Sequence, residues 1–235
     1  MKDLFRKLLG QKIVNLYHLA IAVVANFFYG FPSRKLKVIG VTGTDGKTTT
    51  VNLIASILKA GGRRVSFLSS INARIGEQEF DTGLHTTTPS SFLLQKLLKK
   101  MVKAGSEFAV LEVTSHALDQ YRTWGNRFET AVLTNMTPEH LDYHETFEEY
   151  MRAKIKLFKN SEYRIVNLED STSSRFATLS RPGEGRERSN QVITYGLTSK
   201  ARIWADNFRG SLKLTTFACH IQNTKYDIHL PLPGK

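Results

Sequence analysis

The chain has 235 residues, 41% apolar and 23% charged, an ordinary globular composition long enough for one large domain or two small ones. Its single cysteine, Cys219, excludes an intrachain disulfide framework and fits a reducing, cytoplasmic setting. Thirty-three Lys and Arg against 21 Asp and Glu leave a net charge of +12, which favours an anionic partner: a nucleotide, a phosphorylated substrate, nucleic acid or an acidic membrane surface. With no run of five basic residues and no aromatic stripe among the Arg and Lys, nucleic acid is not the expected one.

The first candidate element is Ile13 to Phe31, "IVNLYHLAIAVVANFFYGF", which carries no formal charge. It approaches the length of a membrane span, about 20 residues. Asn15, His18, Asn26 and Gly30 interrupt its apolar character, and basic residues flank both ends without an orientation bias. No small-residue cleavage site follows, as a signal peptide requires. A helix packed on the following domain is the favoured reading, with membrane association the lesser alternative.

From Lys37 onward, short apolar runs alternate with amphipathic helices, the pattern of a mostly parallel sheet flanked by helices. "KVIGV" predicts the first strand, and the helix behind it places Val51, Ile54, Ala55 and Leu58 on one face and stops at Gly61-Gly62. "RVSFLSS" predicts a second strand. Residues 91–104 form a helix with Leu94, Leu97, Leu98, Met101 and Val102 inward and lysines outward. "FAVLEV" and "TAVLTN" read as strands buried on both faces. A helix follows from about Phe147 to Phe158, then the strand "YRIVN". Beyond Asn167, "EDSTSSRFATLSRPGEGRERSN" reads as a long mobile loop, and "VITYGL", "ARIWADNF", "LKLTTFACHI" and "YDIHLPL" as a small C-terminal β-meander.

The chemistry concentrates between strands and helices. "GVTGTDGKTTT" follows an apolar strand and opens a helix, with Gly43 and Gly46 where the backbone must turn and offer N–H groups to phosphate oxygens. In such a loop Lys47 reaches the terminal phosphates and Thr48 ligates Mg²⁺. The strict phosphate-loop pattern nevertheless fails, because Val41 stands where glycine is required. In "LEVTSHALDQYR", Glu112 lies at the C-terminal end of a buried strand, the ligand edge of an open α/β sheet. A carboxylate buried there calls for a partner, and a metal ion near the triphosphate supplies one. His116 is open between ligand, base and helix start, while Gln120 and Arg122 suit an anionic acceptor unless they form a solvated helix face. "TNMTPEHLDYH" repeats the arrangement, with His140 as the candidate ligand and Asp142 and His144 beside it. In "FEEYMRAKIKLF", the inward stripe of Phe147, Tyr150, Met151, Ile155 and Phe158 also contains Lys154. That lysine either snorkels or has a depressed pKa and a chemical task.

In this order and spacing, "GVTGTDGKTTT", "TTTP", "EVTSHALDQYR", "TNMTPEHLDYH" and "YMRAKIKLF" strongly resemble the central ATP-dependent domain of the Mur ligases of peptidoglycan synthesis, above all the tripeptide-synthetase branch. The resemblance covers residues 37–235 and accounts for Val41, since these ligases carry T-G-T-N-G-K-T; Asp45 replaces the usual Asn. It implies that Gly43, Thr44, Asp45, Gly46, Lys47, Thr48 and Thr49 hold ATP. It further implies that Thr48, Glu112, His140 and a carbamylated Lys154 serve Mg²⁺, and that Thr86, Thr87, Thr88, Thr114, Gln120 and Arg122 bind the acceptor. The implied reaction turns the C-terminal carboxylate of a UDP-muramoyl peptide into an acyl phosphate, which an incoming amino acid, a diamino acid in this branch, converts to an amide.

Two departures qualify the resemblance. Residues 1–36 are too few for the uridine-nucleotide domain, and "LPLPGK" falls where the family continues into an amino-acid-binding domain. The expectation is a truncated form that binds nucleotide without completing ligation alone. A folylpolyglutamate- or cyanophycin-type ligase, a non-catalytic nucleotide-binding module and an ordinary phosphotransferase are the alternatives.

Overall fold

The protein is described by a computed structural model over residues 2–81, 88–159, 161–179 and 191–231. The helices are α1 (Lys2–Tyr29), α2 (Lys47–Ala60), α3 (Ser91–Lys103), α4 (Ser115–Asp119), α5 (Leu141–His144), α6 (Phe147–Lys159) and α7 (Ser173–Ala177). The strands are β1 (Lys37–Thr42), β2 (Val65–Leu68), β3 (Asn72–Ile75), β4 (Gln78–Asp81), β5 (Phe108–Glu112), β6 (Thr130–Leu133), β7 (Tyr163–Asn167), β8 (Gln191–Gly196), β9 (Ile203–Gly210), β10 (Thr215–Ile221) and β11 (Thr224–Leu230). They make one sheet in the order β11-β10-β9-β8-β7-β6-β1-β5-β2-β3-β4.

The centre of the sheet is parallel because its strands are apolar on both faces. Val38 and Val41 of β1, Ala109 and Val110 of β5, and Ala131 and Leu133 of β6 are all buried, so helices must cover both sides. α3 (Leu94, Leu98, Met101) and α6 (Tyr150, Met151, Phe158) cover one face together, and α2 (Val51, Ala55) covers the other. The register pairs Val41 with Glu112 on one side and Val132 on the other, so the loops leaving β1, β5 and β6 emerge at one edge.

Three expectations change. β8 is parallel to both β7 and β9, so the antiparallel meander begins only at β9. The β7–β8 connection is a crossover, which keeps the strand direction. It contains α7, where a structureless loop is expected. Phe176 of α7 is fully buried against Phe158, their centroids 5.0 Å apart, and buried Arg164 donates to the carbonyls of Ala177 and Leu179. Residues 180–190 of the expected loop lie outside the described residues. Finally, the β3–β4 hairpin, which the sequence reading does not assign, pairs antiparallel with β2.

α1 extends further toward the N-terminus than its apolar run. Among the described residues, no helix is long and apolar enough to cross a membrane. Its inner face rests on α3 and buries Ala22, Ala25 and Asn26, while Leu16, Val24, Phe27 and Phe28 stay exposed. Asn26 fixes the helix: its Nδ2 donates to Ala22 O (2.9 Å) and Trp124 O (2.7 Å). Gly125 permits the approach, since a Cβ there would lie 2.7 Å from the Asn26 side chain. Replacing Asn26 with Ala leaves the Trp124 carbonyl without its donor, at a cost of about 1–3 kcal/mol. The thermal midpoint is expected to fall by about 2–4 °C for each kcal/mol lost. An unchanged midpoint in a calorimetric scan would show that this bond does not anchor α1.

Candidate active site

The loop after β1 is stapled from below by residues that follow β6. Gly43 adopts φ +152°, and a Cβ there would fall on the Thr134 hydroxyl. Thr44 N donates to Asn135 O (3.0 Å), Asp45 N donates to Asn135 Oδ1 (2.8 Å), and the Thr134 hydroxyl donates to Asp45 O (2.7 Å). The Thr44 hydroxyl donates to Thr137 O and meets the Tyr150 hydroxyl at 3.2 Å. The backbone shape that a phosphate loop needs is therefore built before any ligand enters. Lys47 opens α2 with its ammonium on Thr44 O (2.5 Å). Thr49, in the same turn of α2, is exposed.

Glu112 ends β5 and is buried. Its carboxylate accepts from the Thr48 hydroxyl (2.9 Å), from Ser70 N (2.9 Å) and from the Ser70 hydroxyl (2.8 Å). A hydroxyl and a carboxylate side by side are hard oxygen donors, the chemistry that Mg²⁺ takes. Of the other two expected metal residues, Lys154 lies on α6 and His140 caps the start of α5. Among the described residues, no group of three or more His, Cys, Asp or Glu is placed to hold a metal. That is compatible with a cation carried on a nucleotide, because Mg²⁺ uses one or two carboxylates and fills its other positions with phosphate oxygens and water.

Lys154 does not snorkel. It is 1% exposed, its Nζ donates to Gly43 O (2.5 Å), and the ammonium lies 4.5 Å from the centroid of Tyr150. Burial first, and the charge of Lys47 second, lower its pKa to about 7, so near neutral pH much of it is free amine.

His140 takes the left-handed conformation (φ 56°) at the start of α5, largely exposed, 3.6 Å from Glu139 Oε2. Such a φ costs a non-glycine residue about 1–3 kcal/mol and survives only where the surroundings enforce it. Its ring stands 4.8 Å from that of His116, and His116 lies 5.5 Å from His144. Burial, then the neighbouring His116, push His144 down to about 4; burial, then His140, lower His116. Both imidazoles are thus held neutral at neutral pH. His144 packs against Tyr150 and leaves its buried Nε2 without a hydrogen-bond partner among the described residues.

The four expected acceptor residues that are described, Thr88, Thr114, Gln120 and Arg122, form a single hydrogen-bonded chain. Thr114 N donates to the Thr88 hydroxyl (3.1 Å), which reaches Glu112 O (3.2 Å). Thr114 caps α4 by accepting from Ala117 N. Arg122 donates to Thr88 O (2.9 Å) and, through Nε and Nη2, to Gln120 Oε1; Gln120 Nε2 reaches the Tyr143 hydroxyl (3.2 Å). All of these bonds from Arg122 end on neutral oxygens, so its charge is available to an anion. Thr86 and Thr87 lie outside the described residues.

Several residues beyond the sequence reading belong to this edge. Ser70, Thr134 and Asn135 shape the loop and the carboxylate. Beside Gln120, Tyr143 donates to Asp119 (3.1 Å), which also accepts from Lys156 (3.1 Å) and from Asn15 of α1 (3.0 Å). Gln11 donates to Tyr143 (3.0 Å). The only sequence hint of α1's role was the polarity of Asn15 within an apolar run.

The Mur ligase middle domain family matches residues 41–235, starting at Val41 near the end of β1. The UDP-N-acetylmuramoyl-L-alanyl-D-glutamate–2,6-diaminopimelate ligase 1 of Clostridium acetobutylicum is 39% identical over 216 residues, 92% of this chain and 43% of that protein. A solved structure of a ligase of the same name superimposes with a TM-score of 0.70 at 30% identity, covering 84% of this chain and 39% of that one. The MurF ligase of Thermotoga maritima in complex with ADP has a TM-score of 0.62 at 19% identity, covering 87% of this chain and 44% of that one, and shows the shared fold. The chain thus spans about two-fifths of the length of these relatives. The stapled glycine loop, the carboxylate ending β5 and the acceptor chain behind it all fall within the matched span, and the chain belongs to the Mur ligase middle-domain family.

Proposed function

We propose that this chain is the nucleotide- and acceptor-binding core of an ATP-dependent ligase that extends a UDP-muramoyl peptide by one amino acid in peptidoglycan precursor synthesis. One observation carries the reading: Glu112 joins the two halves of the site. Its side chain takes the Thr48 hydroxyl of the phosphate loop, and its main-chain carbonyl takes the Thr88 hydroxyl of the chain that ends at Arg122. Nucleotide and anionic acceptor are therefore brought to the same edge, with Lys47 and Arg122 supplying positive charge to each.

In this reading the loop from Gly43 to Thr49 cradles the ATP phosphates with its N–H groups, and Lys47 neutralises charge on the terminal phosphates. Thr48 and Glu112 would hold the Mg²⁺ that accompanies ATP, with His140 and a carbamylated Lys154 as its further residues. The cation would supply charge neutralisation at the transferring phosphate. Arg122 and Gln120 orient the acceptor so that its terminal carboxylate oxygen attacks the γ-phosphorus; ADP leaves and an acyl phosphate results. The amine of the incoming amino acid then attacks the acyl carbon, phosphate departs, and the nitrogen loses a proton. Holding the reactants in line is the main catalytic contribution, since phosphoryl transfer asks little covalent chemistry of the protein. The diamino acid is inferred from the relatives' names alone. Lys154 is proposed to be carbamylated: its free amine adds to CO₂, releasing a proton and leaving an anion suited to a nearby cation.

Titration with a fluorescent ADP analogue tests the nucleotide half. Lys47→Ala and Glu112→Gln are each expected to weaken Mg²⁺-dependent binding by at least about tenfold, or about 1.4 kcal/mol, while Arg122→Gln leaves it unchanged. Binding that is indifferent to Lys47 and Glu112 would remove the basis of the proposal. For the acceptor half, ATP turnover by the polypeptide containing this domain should require a muramoyl dipeptide and a diamino acid together, with Arg122→Gln raising the acceptor KM.

Lys154 offers two further tests. Its folded pKa of about 7 lies below the ordinary 10.5, so between those values the unfolded chain holds a proton that the folded chain has shed. The cost of burial is then complete below about pH 7 and gone above about pH 10.5. In CO₂-free buffer, the stability of the parent is expected to rise relative to Lys154→Met across that window; parallel pH profiles would refute the depressed pKa. With ¹³C-bicarbonate, the parent should show a carbamate resonance that Lys154→Ala lacks, and its absence from both would rule out carbamylation.

A further inference from the structure

The chemistry above uses only the edge of the sheet where β1, β5 and β6 end. At the opposite edge, where β2 begins, lies a cavity of about 550 Å³. Its walls come from the C-terminal ends of α2 and α3, the turn into β2, and the β3–β4 hairpin. They carry Lys59, Arg63, Arg64, Arg74, Lys100 and Lys103 against one carboxylate, Glu77. Nothing in the proposed reaction calls for cations there.

The charge does not cancel. Lys59 pairs with Glu77 (3.7 Å), Arg64 with Glu107 (3.0 Å) and Arg74 with Glu79 (3.1 Å). Arg63, Lys100 and Lys103 have no carboxylate partner among the described residues. The two helix ends offset part of this, each contributing about half a negative charge. An excess of about two positive charges therefore remains. The Nε of Arg74, half-buried on β3, is shielded from solvent and without an acceptor among the described residues, a donor of the kind that native proteins rarely leave unused.

The cavity is also preformed. The Ser66 and Ser106 hydroxyls meet at 2.7 Å, Gly76 N donates to Ser66 Oγ (3.2 Å), and Glu107 N donates to Arg64 O (2.8 Å). These bonds lock the hairpin turn, the start of β2 and the approach to β5 together. Val65, Ile75 and Ala104 add apolar lining beside the cations. A rim of guanidinium and ammonium groups over an apolar patch, too large for a bare oxyanion, suits a small organic molecule bearing one phosphate.

We propose that this cavity binds the dianionic phosphate monoester of a small organic ligand. The phosphate loop also attracts phosphate, so the experiment uses Lys47→Ala protein, with inorganic phosphate and phenyl phosphate as probes in calorimetric titrations. Both should bind, phenyl phosphate more tightly, with affinity falling as salt is added. Adding Arg63→Gln, Lys100→Gln and Lys103→Gln, all exposed, should leave the thermal midpoint in place while weakening phenyl phosphate by at least about tenfold. Arg74→Gln should weaken it as well. Unchanged affinity in the glutamine variants, or no binding of either probe to Lys47→Ala protein at about 10 mM, would overturn the proposal. Equal affinity for the two probes would overturn the assignment to a monoester.

Discussion

A carboxylate buried at the end of a central strand must be satisfied, and the way Glu112 is satisfied organises this protein. Two hydroxyls and one backbone N–H converge on it, from the first turn of α2 and from the residues after β2. An unpaired charge at that depth would cost several kcal/mol even after relaxation. The two segments that supply its partners are therefore not free to drift relative to β5. The strand order follows the same logic, because β5 lies between β1, which launches the phosphate loop, and β2, which delivers Ser70. The parallel register brings all three C-terminal ends to one edge, where the Thr88 hydroxyl bonds to Glu112's own carbonyl.

Around that carboxylate the positive charges are graded by burial. Lys47 is half-buried and faces the loop, Arg122 is half-buried among neutral oxygens, and Lys154 is sealed beneath the loop. Burial of Lys154 lowers its pKa before any neighbour is counted, and the charge of Lys47 lowers it further. Placing two ammonium groups against one loop is tolerated because one of them gives up its proton near neutral pH. The histidines obey the same rule, since burial lowers both, helped by His140 at His116 and by His116 at His144. The site thus avoids repulsion by discharging its innermost cations and keeps Lys47 and Arg122 as its working charges.

What was legible in the sequence depended on range. α3 and α6 were readable because their apolar residues repeat at the helical period, and the same regularity exposed Lys154 as the exception within its stripe. β1, β5 and β6 were readable as runs buried on both faces. The β3–β4 hairpin was not, because "NARIGEQEF" is polar and short. α7 was hidden in a Ser- and Arg-rich segment whose one deeply buried anchor, Phe176, depends on Phe158 eighteen positions away. β8 was misassigned because strand direction is set by the crossover before it, which local composition does not report. The same limit governs the site. Lys47, Thr48 and Glu112 announce themselves through position and chemistry. Ser70, Asn135, Gln11 and Asn15 act through hydrogen bonds to partners 42 to 132 positions distant, and only Asn15, polar within an apolar run, is marked by its own neighbourhood.

Asp45 shows where local and long-range determinants separate within a single residue. Its backbone is fully committed: N–H to Asn135, carbonyl to Thr134 and Asn135. Its side chain is exposed, so the fold constrains the residue's conformation without choosing the carboxylate. Asn would seat the same backbone bonds equally well. What the charge does reach is Lys154, whose pKa it raises together with the stronger effect of Glu139, against the larger opposing effects of burial and Lys47. A negative charge at the lip of the loop opposes incoming phosphate but favours the ammonium form of the buried lysine behind it. Asp45 thereby shifts the balance between the free amine and the ammonium of Lys154, a coupling that acts through space and leaves the loop's geometry untouched.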